Sequence, residues 1–373
     1  MKITIISHAP IFRNESDKWV GYAPYIKEMD LWAKYAEKIE FVCPTNNGND
    51  ILAKELSIQN IHVINIKPFS LTEIKKIIAA PFIICFDFVK IWKAIDNAEY
   101  IHLRCPGNIG LIACIVQIFF PKKNKSAKYA GNWNPINKQP LSYRFQKWIL
   151  NNTFLTRNMK VMVYGSWPHS SKNIIPFFTS SYSNRHDIKV PPRKLSKDEI
   201  RLIFVGTLHP GKNPFMVVQI AHKLLKLGFN IILNIFGHGE EYDLINTYLI
   251  ENNLEESIFL EGNKSEDIII EYYKEAHFLI FLSKSEGWPK VVAEAMWWGC
   301  VPITTDISCV SEMLDFGNRG SLIKPDINEC IGEILAYVQN PELYYNKALN
   351  AILWSRQFTL EKFESEINNL IIN

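Results

Sequence analysis

Along nearly the whole chain, short apolar runs alternate with stretches whose apolar residues recur every three or four positions. That alternation is expected of strands followed by helices in a parallel α/β sheet. In the first half, Lys2–Ile6, Ile39–Cys43, Ile61–Ile66, Tyr100–Arg104, Lys128–Gly131 and Lys160–Tyr164 read as strands. Helical spacing fills the gaps, as over Pro24–Tyr35, where the proline suits the first turn. The polar stretch Ser180–Leu195, with Pro191-Pro192, reads as a linker. Beyond it the pattern restarts, with strands at Ile200–Val205, Asn230–Phe236, Ser257–Leu260, His277–Leu282 and Val301–Thr304. Helices are predicted near Pro214–Leu227, Glu240–Asn252, Glu266–Glu275 and Pro289–Trp298. Two such series predict two doubly wound, Rossmann-like α/β domains, spanning residues 1–188 and 189–357. A closing helical stretch, 358–373, has no strand to accompany and would pack back on the first domain.

A length of 373 residues suits two domains. With 47% hydrophobic and 21% charged residues, disordered, collagen-like and coiled-coil readings fall away. The longest apolar runs, Ile109–Phe120 and the stretch around Ile77–Phe86, are too short to span a bilayer and read as buried helices. Seven cysteines without a CxxC pair, behind an N-terminus that reads as a strand rather than a signal segment, imply reduced thiols and a cytoplasmic protein. Abundant Ile, Lys and Asn point to an AT-rich bacterial genome.

Charge changes the picture more than composition does. Residues 1–190 hold 25 Lys and Arg against 13 Asp and Glu, whereas residues 191–373 hold 16 against 25. Between Glu99 and Asp187 there is no acidic residue and there are twelve basic ones, among them Lys122, Lys123, Lys125 and Lys128. This favours an anionic partner for the first domain, an acceptor pyrophosphate or the inner leaflet of the plasma membrane. No nucleic-acid motif accompanies the charge. Leu141–Leu155 places Leu141, Phe145, Trp148, Ile149 and Leu155 near one helical face, with Arg144 and Lys147 elsewhere. Such a helix either lies on an anionic membrane or packs on the core with a solvated basic edge.

In open α/β sheets ligands bind beyond the carboxyl ends of the strands. In the second half, the loop Gly206-Thr207-Leu-His209-Pro-Gly-Lys212 precedes a helix. Its lysine either serves a phosphate together with free backbone N–H groups or is solvated beside a cap. Gly237-His238-Gly239-Glu240 is a second glycine turn, and Glu261-Gly262-Asn263 a third short one. The most informative segment runs from Leu282 to Pro302. Glu286 falls in a loop before a helix and Glu294 within it, so both could accept hydrogen bonds from the hydroxyls of one ligand. The alternative is that Glu286 caps the helix and Glu294 is exposed. Eight residues of helix rise about 12 Å, which disfavours a hydrolase acid–nucleophile pair.

With Glu286 and Glu294 forming E-x7-E, then Ala295-Met296, Gly299-x-Val-Pro302, Glu312-Met-Leu and Gly317…Gly320-Ser-Leu, residues 200–325 resemble the family 4 retaining glycosyltransferases. The first domain resembles them mainly through Gly21-Tyr22-Ala-Pro-Tyr and its strand order. The resemblance implies a GT-B fold, two Rossmann-like domains facing a cleft. It also implies a hexosyltransferase-type, retaining, metal-independent enzyme of surface polysaccharide biosynthesis, which the basic first domain would make peripheral to the membrane. Its substrate would be a UDP- or GDP-linked sugar, and its acceptor a glycan, lipid-linked, with no separate cofactor. Glu286 would hold donor-sugar hydroxyls, Glu294 the ribose, and Lys212 the diphosphate, helped by backbone at Gly206, Gly287 and Trp288. Gly237, Gly262 and Asn263 would edge the base. Gly21, Tyr22, Arg104, Asn132 and Trp133 would serve the acceptor side. Thr207 departs from the pattern, which places arginine after the first glycine, so one diphosphate contact is either missing or supplied elsewhere, by His209 or Arg104. The other readings are a non-catalytic sugar-nucleotide-binding homologue and another GT-B enzyme such as a sugar-nucleotide epimerase.

Overall fold

A computed structural model describes residues 1–45, 53–58, 60–68, 74–137, 139–186 and 191–372. The chain divides into two compact units, Met1–Phe178 with Glu361–Asn373, and Thr179–Leu360. The expected boundary at 188 lies within 187–190, outside the described residues. The observed division comes earlier because Tyr182 packs its ring against Trp297 and Trp298 of the second unit.

The first domain contains β1 (Lys2–Ile6), β2 (Ile11–Arg13), β3 (Trp19–Tyr22), α1 (Ala23–Ala33), β4 (Lys38–Cys43), β5 (Ala53–Glu55) and β6 (Ile61–Asn65). It continues with α2 (Ile74–Asp96), β7 (Tyr100–Cys105), α3 (Asn108–Val116), β8 (Asn124–Tyr129), α4 (Leu141–Leu150), β9 (Met159–Tyr164) and β10 (Ile174–Phe177). Seven strands form one parallel sheet in the order β10-β9-β8-β7-β1-β4-β6. Its central strands are apolar on both faces, as helices on both sides require: Ile3, Ile5 and Ile6 of β1 are fully buried. Strands β2, β3 and β5 make a separate antiparallel sheet that the apolar pattern does not foretell.

Two expectations about helices change. The run around Ile77–Phe86 is helical, and none of its described side chains, from Phe82 to Phe86, is buried. Ile91, Ala94 and Ile95 of α2 face the core, while Phe82 and Phe86 lie open on its outer side. In α4 the buried face is Gln146, Ile149 and Leu150; Leu141, Phe145 and Trp148 point outward, the last two stacked on each other. The strand expected at Lys128–Gly131 instead occupies β8.

The second domain contains β11 (Ile200–Val205), α5 (Pro214–Lys226), β12 (Ile231–Phe236), α6 (Tyr242–Glu251), β13 (Ile258–Gly262), α7 (Glu266–Glu275) and β14 (Phe278–Phe281). Next come α8 (Lys290–Trp297), β15 (Val301–Thr305), α9 (Val310–Met313), β16 (Ser321–Ile323), α10 (Ile327–Gln339) and α11 (Pro341–Ser355). Its six strands are parallel, in the order β13-β12-β11-β14-β15-β16. The order reverses between β11 and β14, the switch point at which such sheets hold their ligands.

The last helix, α12 (Leu360–Ile372), belongs almost wholly to the first domain. Phe363 packs edge-on against Phe177 and Phe178, and Lys34, the C-cap of α1, pairs with Glu364 at 2.5 Å. All seven cysteines are free thiols, six of them buried.

Candidate active site in the second domain

The loops that follow β11, β12 and β14 are tied together by backbone. The Gly206 N–H donates to the Phe236 carbonyl at 2.9 Å, and the Leu208 N–H to the His238 carbonyl at 3.2 Å. Gly237 has φ +133°, and a β-carbon there would lie 1.9 Å from the Gly206 carbonyl oxygen. Only glycine fits, for backbone angle and for space. Gly237→Ala is therefore expected to destabilise the second domain by at least ~2 kcal/mol, read as a lower urea midpoint.

A second set of bonds brings the lysine loop to the loop after β14. Asn213, in the left-handed region at φ +53°, ends the lysine loop and lets Pro214 open α5. Its Nδ2 donates to the Leu282 carbonyl at 2.6 Å, and the Lys284 N–H donates to the Gly211 carbonyl at 2.8 Å. With the backbones so joined, the Lys212 ammonium donates directly to the Glu286 carboxylate. Ser283 Oγ donates to the same carboxylate oxygen at 2.7 Å. Both side chains keep a solvent-facing edge, 30% exposed for Lys212 and 14% for Glu286. Together they form a cation and an anion held side by side beyond the strand ends.

Glu294 sits one turn into α8. Ser181 Oγ donates to one of its oxygens, and Tyr273 Oη to the other at 3.5 Å. Burial and the Glu294 charge push the Tyr182 and Tyr273 phenols well above their ordinary range, so both stay protonated. Ahead of α8, the Gly287 carbonyl accepts from Ser308 Oγ at 2.8 Å and Cys309 Sγ at 3.4 Å, which fixes the approach to the helix. Pro289 is the N-cap rather than the first helical residue, and Gly299, at φ +77°, follows the C-cap.

Several residues expected here have other contacts. The Trp288 ring stacks on Trp354 and meets Phe358 edge-on. Thr207 is exposed, and its carbonyl accepts from the His209 N–H at 2.8 Å. His209 Nε2 faces Glu240 at 3.4 Å, and its Nδ1 accepts from the Gly211 N–H at 2.9 Å. The Gly262 carbonyl accepts the Gly237 N–H at 2.9 Å, and Asn263 beside it is exposed. Among the described residues no cluster of His, Cys, Asp or Glu is placed to hold a metal ion. Sequence reasoning missed Ser181, Ser283, Ser308 and Asn213, polar residues that orient the two glutamates and the loops; nothing in their local sequence marks them.

The first-domain candidates fall in two places. Gly21 lies within β3, where a β-carbon would press on Ile26 at 3.0 Å and the Pro10 carbonyl at 3.1 Å; Tyr22, partly exposed, precedes α1. The glycine thus serves close packing. Arg104, Asn132 and Trp133 lie at or just beyond the ends of β7 and β8. Arg104 is ion-paired to Glu28, and Asn132 and Trp133 are buried. The Arg104 guanidinium is thus committed within its own domain.

Residues 187–353 match the family model described as Glycosyl transferases group 1. An uncharacterized glycosyltransferase of Methanocaldococcus jannaschii is 30% identical over 161 residues, 43% of this chain and 44% of that protein. The match therefore spans less than half the length of that relative. The capsular polysaccharide biosynthesis glycosyltransferase CapH of Staphylococcus aureus is 24% identical over 307 residues, 77% of this chain and 79% of CapH. Among solved structures, Anabaena HepE in complex with UDP and glucose superposes with a TM-score of 0.67 at 14% identity, covering 100% of this chain and 99% of HepE. That likeness shows the fold: two Rossmann-like domains of the GT-B class.

Proposed function

We propose that the protein is a retaining glycosyltransferase that moves a sugar from a nucleotide donor to a glycan acceptor in surface polysaccharide assembly. The observation that carries this reading is the Lys212–Glu286 pair, held by two zipped loops at the switch point, with Glu294 on the helix that follows. In this reading the donor diphosphate takes Lys212 from Glu286, because two phosphate charges outcompete one carboxylate. Glu286 then accepts from donor-sugar hydroxyls and Glu294 from the ribose, while backbone at Gly237, Gly262 and Asn263 edges the base.

The acceptor hydroxyl attacks the anomeric carbon on the face the diphosphate leaves. The carbon–oxygen bond to phosphate breaks, and the hydroxyl proton passes to the departing phosphate oxygen. Lys212 and the amino end of α8 stabilise the charge that develops there, without a metal. The match over residues 187–353 and the UDP and glucose held by HepE support the donor assignment. The name of CapH supports polysaccharide assembly. We extend the proposal to a lipid-linked acceptor met at the cytoplasmic face of the membrane by the basic first domain. Among the described residues no helix is long and apolar enough to cross a membrane.

Thermal-shift measurements against UDP, GDP, ADP, CMP and their sugar conjugates test the donor site. A ligand at about 100 times its Kd adds about 2.7 kcal/mol to native stability, a shift of several degrees. One nucleoside diphosphate should raise the midpoint, and Glu294→Ala should remove the effect. No shift with any of them would leave a protein that does not bind donors. Isomerised donor without nucleotide release would identify an epimerase instead. The anomeric configuration of the product, read by proton NMR, decides retention.

A further inference from the structure

At the end of the first sheet opposite to the one where open α/β sheets bind substrate, a cavity of about 650 Å³ opens between the amino ends of β8 and β9. Lys122, Lys125, Arg157, Lys160 and Lys172 line it, and among the described residues no acidic side chain does. Lys125 is 2% exposed and donates to the Gln117 and Phe120 carbonyls at 3.2 and 3.0 Å. Burial pushes its ammonium down to about 8, so it is a cation that an incoming anion would stabilise. Lys122, Arg157 and Lys172 are exposed.

Large apolar side chains within three residues of its lining lie open, the Phe119 ring 5.3 Å from that of Trp92 on α2. Phe119, just before Lys122, is 58% exposed, and Phe154, just before Arg157, is 70% exposed. The Arg157 guanidinium sits 4.6 Å from the centre of the Phe154 ring. Thr153 also lines a neighbouring cavity that includes Trp148, 57% exposed. A free anion would use the cations alone. A lipid headgroup uses both, because aromatic rings favour the headgroup level of a bilayer and cations favour its anionic surface.

We propose that this pocket takes the phosphate of an anionic phospholipid headgroup, with Phe119 and Phe154 entering the interfacial layer of the bilayer. The site narrows the membrane surface of the first domain to particular residues. It excludes Lys128, which is buried against Glu28, and it does not depend on the donor-site reading, since vesicle binding is measured without turnover.

Co-sedimentation tests it, using vesicles of phosphatidylcholine alone and of phosphatidylcholine doped with phosphatidylglycerol. Calorimetry with inorganic phosphate runs in parallel. The protein should bind only the doped vesicles. The combined substitution Lys122→Gln, Arg157→Gln and Lys172→Gln should weaken the partition about a hundredfold, at roughly a factor of five per cation. Its thermal midpoint reports that the fold is kept. Phe119→Ser with Phe154→Ser should also weaken vesicle binding. Removing the same charge from the second domain, by Lys223→Gln, Lys226→Gln and Lys264→Gln, should leave it unchanged. Equal binding to undoped vesicles, or no effect of the first triple, would overturn the proposal. So would an equal loss in the second-domain triple, or saturable binding of inorganic phosphate without any vesicle binding.

Discussion

Lys212→Met is expected to lower turnover about 10²–10³-fold, the usual loss when a preorganised electrostatic contact to a developing negative charge is removed. The effect should fall on kcat, because the charge on the leaving diphosphate grows as its bond to the sugar breaks. Glu286→Gln should lower turnover as well, since an amide accepts only through its single oxygen and bears no charge toward the sugar hydroxyls. Neither change should unfold the domain. Both side chains reach solvent, and the backbone bonds that place them, from Asn213 to Leu282 and from Lys284 to Gly211, do not involve their ends. Initial rates with labelled donor, alongside circular dichroism melts, provide the check. Normal turnover in either variant would remove the pair from the mechanism.

The second large effect concerns the first domain. Glu28 of α1 is buried between two cations, with Lys128 Nζ at 2.9 Å and Arg104 in direct contact. Burial alone would raise the Glu28 carboxyl, but Arg104 and then Lys128 outweigh it and bring it down to about 2. Lys128 is 1% exposed, with its ammonium 4.8 Å from the centre of the Phe363 ring. Glu28→Ala would leave both cations without this carboxylate and should cost about 3–5 kcal/mol. The same pair sets an acid limit. A carboxyl depressed in the folded state stabilises fully above its unfolded pKa, near 4.5, and loses that stability as pH falls toward 2. About 3 kcal/mol should drain from the wild-type first domain across that window. Glu28→Gln should show a flatter profile. Denaturant midpoints measured from pH 5 to about pH 2 separate the two; parallel profiles would refute the assignment.

These lysines also show why β8 was misplaced. Its sequence Asn-Lys-Ser-Ala-Lys-Tyr looks like a surface turn. Yet Lys125 is buried under the carbonyls after α3, and Lys128 is buried on a carboxylate supplied by a helix one hundred residues earlier in the chain. Pattern reading treats lysine as solvated, and only tertiary pairing reverses that. The outer face of α2 fails in the opposite sense, since Phe82 and Phe86 look like core residues and are not. Where strands are apolar on both faces, as in β1, β11 and β14, the pattern is unambiguous and the elements fall where expected. The glutamates and Lys212 were legible because loop glycines, a proline and a helix pattern bracket them. Ser181 and Ser283 were not, because a serine that orients a carboxylate looks like any other loop serine. The antiparallel sheet of β2, β3 and β5 was hidden by strands of only three or four residues.

The return of α12 to the first domain has a consequence for biosynthesis. Translation delivers the first sheet early, but Phe363, which covers Lys128, and Glu364, which pairs with Lys34, leave the ribosome only after the whole second domain. The nascent first sheet therefore waits with one flank uncovered, and a segment that emerges only after the second domain completes the domain that began to form first.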